Sequence, residues 1–140
     1  MIRKVILSIC GKQSYPGQEP EIIELVTEGM MSVAGDRREI RYEESDLTGL
    51  AGTTTTFRVE SGCITLIRKG PLNSQMIFRE GVPHESLYQM AFGAMMITVC
   101  ATKVDCSFTD QGGIIDLVYN IEIENTAAGT IEYHLDIRVK

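Results

Sequence analysis

From Ile115 to Val139 the chain alternates apolar and polar residues almost without error. Ile115, Leu117, Tyr119, Ile121 and Ile123 hold one parity, against Asp116, Asn120, Glu122 and Glu124 on the other. After Asn125-Thr-Ala-Ala-Gly129, read as a loop, Ile131, Tyr133, Leu135, Ile137 and Val139 continue the pattern against Thr130, Glu132, His134, Asp136 and Arg138. A period of two places successive side chains on opposite faces of a strand. Two such runs in succession therefore predict an antiparallel hairpin with one buried face. No helical arrangement of this segment would gather its apolar residues on one side.

The same alternation recurs upstream at short, regular intervals. Strands are expected over residues 3–10, 20–34, 38–45, 53–60, 63–69, 74–80, 85–91, 94–108, 114–124 and 130–140. Gly, Pro, Asn and Asp mark the breaks, as at Gly35-Asp36, Ser61-Gly62, Gly70-Pro71 and Gly112-Gly113. Many short strands with turns at this spacing predict an all-β sandwich or barrel. Residues 21–34 also fit a helix, with Ile22, Val26, Met30 and Val33 on one face. Gly29 in mid-run and the β-branched residues favour a long strand kinked at Gly29.

The hairpins can be tested against one another. With Ser61-Gly62 as a two-residue turn, Val59 meets Ile64, Phe57 meets Leu66, and position 55 meets position 68. With Asp36-Arg37 as a turn, Val33 faces Ile40 and Met31 faces Tyr42, with Glu44 on the same side. In the last hairpin Ile123 faces Ile131, Ile121 faces Tyr133 and Tyr119 faces Leu135. A slip of one residue would turn these side chains outward, so the faces are well specified.

With 140 residues the chain has the size of a single domain, residues 1–140. Its net charge of −6 argues against nucleic acid or an anionic membrane as partner. Arg3-Lys4 followed by Val5–Cys10 faintly resembles a leader. The apolar run is shorter than the ~7–15 residues such a segment needs, and it is read as the first strand. A cytoplasmic location is expected. Cys10, Cys63, Cys100 and Cys106 form no CxxC pair and lack histidines at metal-site spacing, so neither metal nor cofactor is expected. They are read as reduced, small apolar side chains.

Three segments carry a family resemblance. They are Leu66-Ile-Arg-Lys-Gly70, Met76-Ile-Phe-Arg-Glu-Gly81 and Tyr88-Gln-Met-Ala-Phe-Gly93, the last opening a strand with Thr98 and Thr102. With Tyr42-Glu-Glu-Ser-Asp-Leu-Thr-Gly49 upstream and Leu117-Val-Tyr119 downstream, this pattern resembles the YwiB-like proteins. Those are bacterial, calycin-type β-barrels of unknown function. The resemblance spans residues 20–140 and departs from the family pattern at Met90-Ala91. It implies a closed, lipocalin-like antiparallel barrel of about eight to ten strands, meander-like, and it implies no catalytic residues.

In a barrel, function has to act through polar groups on the apolar parity. Arg68 is the foremost of these, sharing a face with Phe57, Val59, Ile64 and Leu66. A guanidinium there could clamp a carboxylate or phosphate. It could equally reach solvent from a strand end or pair with Glu44. Tyr42, Tyr119 and Tyr133 point inward by the same registers, and Tyr88 joins them as a wall residue of undetermined facing. Thr98 and Thr102 would face Ile123 and Tyr119 if the turn at 109–113 is tight.

The leading expectation is a non-catalytic binder of a small, partly apolar anionic or lipid-like ligand. Its site is Arg68, Tyr42, Tyr119, Tyr133, Glu44 and Tyr88. The alternative is a structural or protein-interaction barrel with a filled core, associating through a strand edge such as 130–140. An enzyme is the weakest reading and would need His84, Tyr88 and Arg68 to converge.

Overall fold

A computed structural model describes residues 1–140. Ten strands follow one another: β1 (Ile2–Ser14), β2 (Glu21–Ala34), β3 (Arg37–Glu43), β4 (Thr54–Glu60), β5 (Cys63–Lys69), β6 (Leu72–Phe78), β7 (Pro83–Met90), β8 (Gly93–Thr109), β9 (Gly112–Ile123) and β10 (Thr126–Val139). Each pairs antiparallel with its neighbours in sequence, and β1 pairs with β10 to close the barrel. No α-helix is present. A single 3-10 turn, Asp46–Thr48, lies in the β3–β4 connection.

Residues 21–34 are strand throughout. Gly29 lies where the wall is tight: a Cβ there would stand 2.7 Å from the Arg41 carbonyl oxygen and 2.9 Å from Leu7 Cδ1. Closure also removes an expected edge. β10 is paired on both sides, so the 130–140 segment offers no free ladder for strand addition.

The β4–β5 register is the expected one, with Val59 opposite Ile64, Phe57 opposite Leu66 and Thr55 opposite Arg68. Two other hairpins turn at other residues than expected. Met31 pairs with Ile40 and Val33 with Arg38, because the chain reverses at Gly35-Asp36. Ile131 pairs with Tyr119, Tyr133 with Leu117 and Leu135 with Ile115, because Glu124 and Asn125 alone form the turn and a one-residue shift between Ala127 and Gly129 then restores the parity. The expected loop at 125–129 is instead strand, with an irregularity between Ala127 and Gly129. Both shifts are even in number, so the same side chains still face inward.

The β8–β9 ladder changes face. Thr109 pairs with Gly112 at the turn, as expected, but a bulge between Ala101 and Lys103 shifts the register by one. Ile97 now opposes Ile123 and Ala101 opposes Tyr119. Thr98 is therefore only half-buried and Thr102 is exposed, so neither faces the positions expected.

Inward side chains fill one half of the barrel. Leu7, Ile40, Phe57, Ile64, Leu66, Phe78, Ile115, Leu117, Leu135 and Ile137 are essentially inaccessible there. That continuous apolar packing is the main stabilising term of the fold. The other half is not filled.

Candidate functional site

Where every strand but β4 lines the end of the barrel beside the Asp46–Thr48 turn, the interior holds a cavity of about 380 Å³. Its wall is mainly apolar, with Ile9, Leu25, Met76, Ile97, Ile121, Ile123 and Ile131 contributing. All six residues singled out from the sequence line it: Arg68, Tyr42, Tyr119, Tyr133, Glu44 and Tyr88. Tyr88, whose facing was undetermined, is half-buried on the cavity side.

Arg68 is the centre of this arrangement. It is 8% exposed, inside the barrel wall. Nη2 donates to the Tyr133 hydroxyl at 3.1 Å, while Nε is buried without a partner. Arg68 takes part in none of the protein's ion pairs. It neither snorkels to solvent nor pairs with Glu44. Burial pulls its pKa down, but the charges that Tyr133, Tyr119, Tyr88 and Tyr42 would carry in strong alkali outweigh that and hold it above the ordinary value. The guanidinium keeps its charge in the barrel.

Glu44 has a different environment. Its carboxylate accepts a hydrogen bond from the Thr55 hydroxyl at 2.5 Å, and the single Thr48 hydroxyl proton is shared between it, at 3.1 Å, and the Ser45 carbonyl, at 3.0 Å. Thr48 is delivered by the 3-10 turn, which Ser45 caps by accepting from the Leu47 amide. The acid is buried but supplied with donors; the base beside it is buried and undersupplied.

The tyrosines form a connected wall. The rings of Tyr119 and Phe78 lie 4.5 Å apart, those of Tyr119 and Tyr133 6.4 Å, and Tyr133 meets Phe57 edge-on at 6.0 Å. Burial pushes the phenols of Tyr42, Tyr88 and Tyr119 up. Glu44 adds to the shift at Tyr42, and Arg68 opposes it at all three. These hydroxyls therefore remain neutral hydrogen-bonding groups at physiological pH.

The sequence reading missed the β1 contribution. β1 continues past Cys10 to Ser14, placing Gly11 and Gln13 on the parity of Ile9, with Tyr15 just beyond. A Cβ at Gly11 would stand 3.4 Å from the Tyr133 ring, so glycine leaves room for that tyrosine. The parity signal was present, but Gly11 and Gln13 are not apolar and did not register as wall. Thr48 and Leu50, from the β3–β4 connection, carry no periodic signal.

His84 and Arg68 line one groove of the wall and Tyr88 lines the cavity with Arg68, but no side-chain hydrogen bond joins the three. His84 Nδ1 accepts from the Ile77 amide at 3.3 Å, and the Ser86 hydroxyl donates to the Gln75 carbonyl at 2.6 Å. No group of three or more His, Cys, Asp or Glu side chains is placed to hold a metal ion. No helix is long and apolar enough to cross a membrane.

A closed ten-strand barrel with a charged group inside is the class this geometry defines. The family model of a domain of unknown function, DUF1934, matches residues 7–137, and the chain belongs to that family. A solved structure, that of the ywiB protein from Bacillus subtilis, is similar to it with a TM-score of 0.83 and 18% sequence identity. The alignment covers 96% of this chain and 92% of that one. At such identity the likeness is one of fold, and it agrees with the barrel expected from the YwiB-like pattern. No curated protein matches the chain.

Proposed function

We propose that this barrel is a non-catalytic binder of a small, partly apolar anion held in the interior cavity. One observation carries the reading. Arg68 is a buried guanidinium with a tyrosine hydroxyl as its hydrogen-bond partner and an unpartnered Nε. A charge removed from water is costly unless it is paired, and the cost is recovered when an opposite charge arrives. Glu44 does not serve that purpose: it forms no ion pair with Arg68, and its carboxylate is turned to the Thr55 hydroxyl, 2.5 Å away.

The cavity suits the rest of such a ligand. Its volume of about 380 Å³ falls within the ~300–1,000 Å³ of small-molecule sites. Its apolar wall would gain roughly 25 cal/mol for each Å² of ligand surface buried. Arg68 would meet the anionic group, and Tyr42, Tyr88, Tyr119 and Tyr133 would flank the chain while offering hydroxyls. A solid, purely structural barrel accounts for the packed half of the interior and for nothing in the other half. Four unpaired cysteines suit a reducing compartment, and we place the protein in the cytoplasm on that ground.

Native mass spectrometry of the purified protein tests the reading. The wild type should carry an adduct of defined mass that Arg68→Ala lacks at equal folded content. A wild type that stays free of adduct when offered medium-chain carboxylates and phosphates would sink it.

A further inference from the structure

The barrel wall is weakest between β6 and β7. Ladder pairs there join Leu72 to Met90 and Asn73 to Gln89, and a bridge joins Arg79 to Val82 at the far turn. Between these ends, side chains stand in for backbone partners. Ser86 Oγ donates to the Gln75 carbonyl at 2.6 Å, and the Ile77 amide donates to His84 Nδ1 at 3.3 Å. Side chains inserted between two strands hold them further apart than a direct ladder does.

A groove of about 460 Å³ opens over this seam. Its lining mixes the two faces of the wall. Lys69 and Gln75 come from the exposed parity, while Arg68, Ser74, His84 and Ser86 come from the inward one. A groove over an intact ladder would present the outer parity alone. Arg68 lines both this groove and the interior cavity.

The chemistry of the groove is one-sided. Arg68 and Lys69 line it and no Asp or Glu does, in a chain whose net charge is −6. Ser74, 8% exposed, has a buried hydroxyl without a hydrogen-bond partner, and Arg68 Nε is buried and unpartnered too. Two undersupplied donors and a lysine around one polar groove match the acceptor oxygens of an oxoanion.

We propose that the β6–β7 seam is an oxoanion site. It takes a phosphate or carboxylate group, either free or as the head of an amphiphile whose tail lies in the cavity. The placement of the tail rests on the cavity reading above; the oxoanion site does not. Lys69 supplies charge from outside, Ser74 donates a hydrogen bond, and Arg68 is reached through the gap between the strands.

Backbone amide NMR with two probes, inorganic phosphate and dodecanoate, tests this. Both should shift the amides of Ser74, Gln75 and His84. Lys69→Ala and Ser74→Ala should each weaken both probes by roughly tenfold, with the thermal midpoint of the exposed Lys69→Ala variant unchanged. Phosphate shifts at the seam without any dodecanoate binding would support a free-oxoanion site and sink the cavity reading. Dodecanoate shifts confined to Tyr15, Leu50 and Glu44 would overturn the seam site and leave the cavity reading standing. Unchanged affinity of both probes in both variants would overturn the seam site as well.

Discussion

Arg68 Nη2 donates to the Tyr133 hydroxyl at 3.1 Å across the barrel interior, and no carboxylate shares in the contact. On the binding function proposed above, this is a charge that the fold itself does not need. Replacing buried charged groups by apolar ones of similar volume is often stabilising by about 1–4 kcal/mol. Loss of the tyrosine hydrogen bond takes back about 1 kcal/mol. Arg68→Met should thus leave the ligand-free protein as stable as the wild type or up to ~3 kcal/mol more so. Chemical denaturation measures it. The same variant should lose anion binding, and a gain in stability together with a loss of binding is the pattern expected of a functional charge. Destabilisation by several kcal/mol would instead make Arg68 a structural residue.

The cavity tyrosines give the protein an alkaline limit. Burial raises the pKa of Tyr42, Tyr88 and Tyr119 in the folded state. An acid whose folded pKa exceeds its unfolded value contributes stability that is fully present below the unfolded pKa, about 10 for tyrosine. That contribution is lost as pH rises toward the folded values. Stability should therefore fall steeply above about pH 10. An ultraviolet titration should show these three phenols silent until the barrel opens, then ionising together. Gradual ionisation of all five tyrosines around their ordinary value, with the fold intact, would contradict the burial described.

Gly29 is required by space rather than by backbone angle. An added Cβ would meet the Arg41 carbonyl oxygen at 2.7 Å and Leu7 Cδ1 at 2.9 Å. Backbone on one side and a fully buried leucine on the other leave little room to yield. Gly29→Ala should cost about 1–3 kcal/mol, the range for overpacking a filled core. The unfolding midpoint in urea reads this directly, and an unchanged midpoint would show that β2 can move away from β3.

Parity explains how much of the site was legible. The sequence alternation tells inside from outside without needing the right partner for each residue. The β2–β3 and β9–β10 ladders are displaced from expectation by even numbers of residues, and Tyr42, Tyr119 and Tyr133 face inward regardless. Thr98 and Thr102 fail because the bulge between Ala101 and Lys103 is an odd displacement. Nothing periodic marks it: the Gly81 amide reaches the Ala101 carbonyl, and the Val104 amide reaches Glu80 Oε1, both contacts from another hairpin. The β6–β7 seam was hidden for a related reason. His84 and Ser86 bond to a neighbouring strand's backbone, a role that no local pattern encodes.

The tightness of the last hairpin is itself testable. Glu124 and Asn125 both lie in the left-handed region, with φ of 51° and 65°, and Thr126 already pairs with Ile123. Two successive left-handed residues are the signature of the two-residue turn whose twist matches the flanking strands. Asparagine tolerates that conformation better than most residues, whereas a Cβ without a polar side chain costs roughly 1–2 kcal/mol there. Glu124 is held in addition by its carboxylate, which accepts from the Met96 amide at 3.0 Å. Asn125→Ala should therefore lower stability by about 1 kcal/mol, and Asn125→Gly should restore or slightly exceed the wild-type value. Thermal unfolding of the two variants side by side measures the difference. Equal midpoints for alanine and glycine would mean that the turn is the longer loop the sequence suggests, with the Tyr119–Ile131 pairing displaced accordingly.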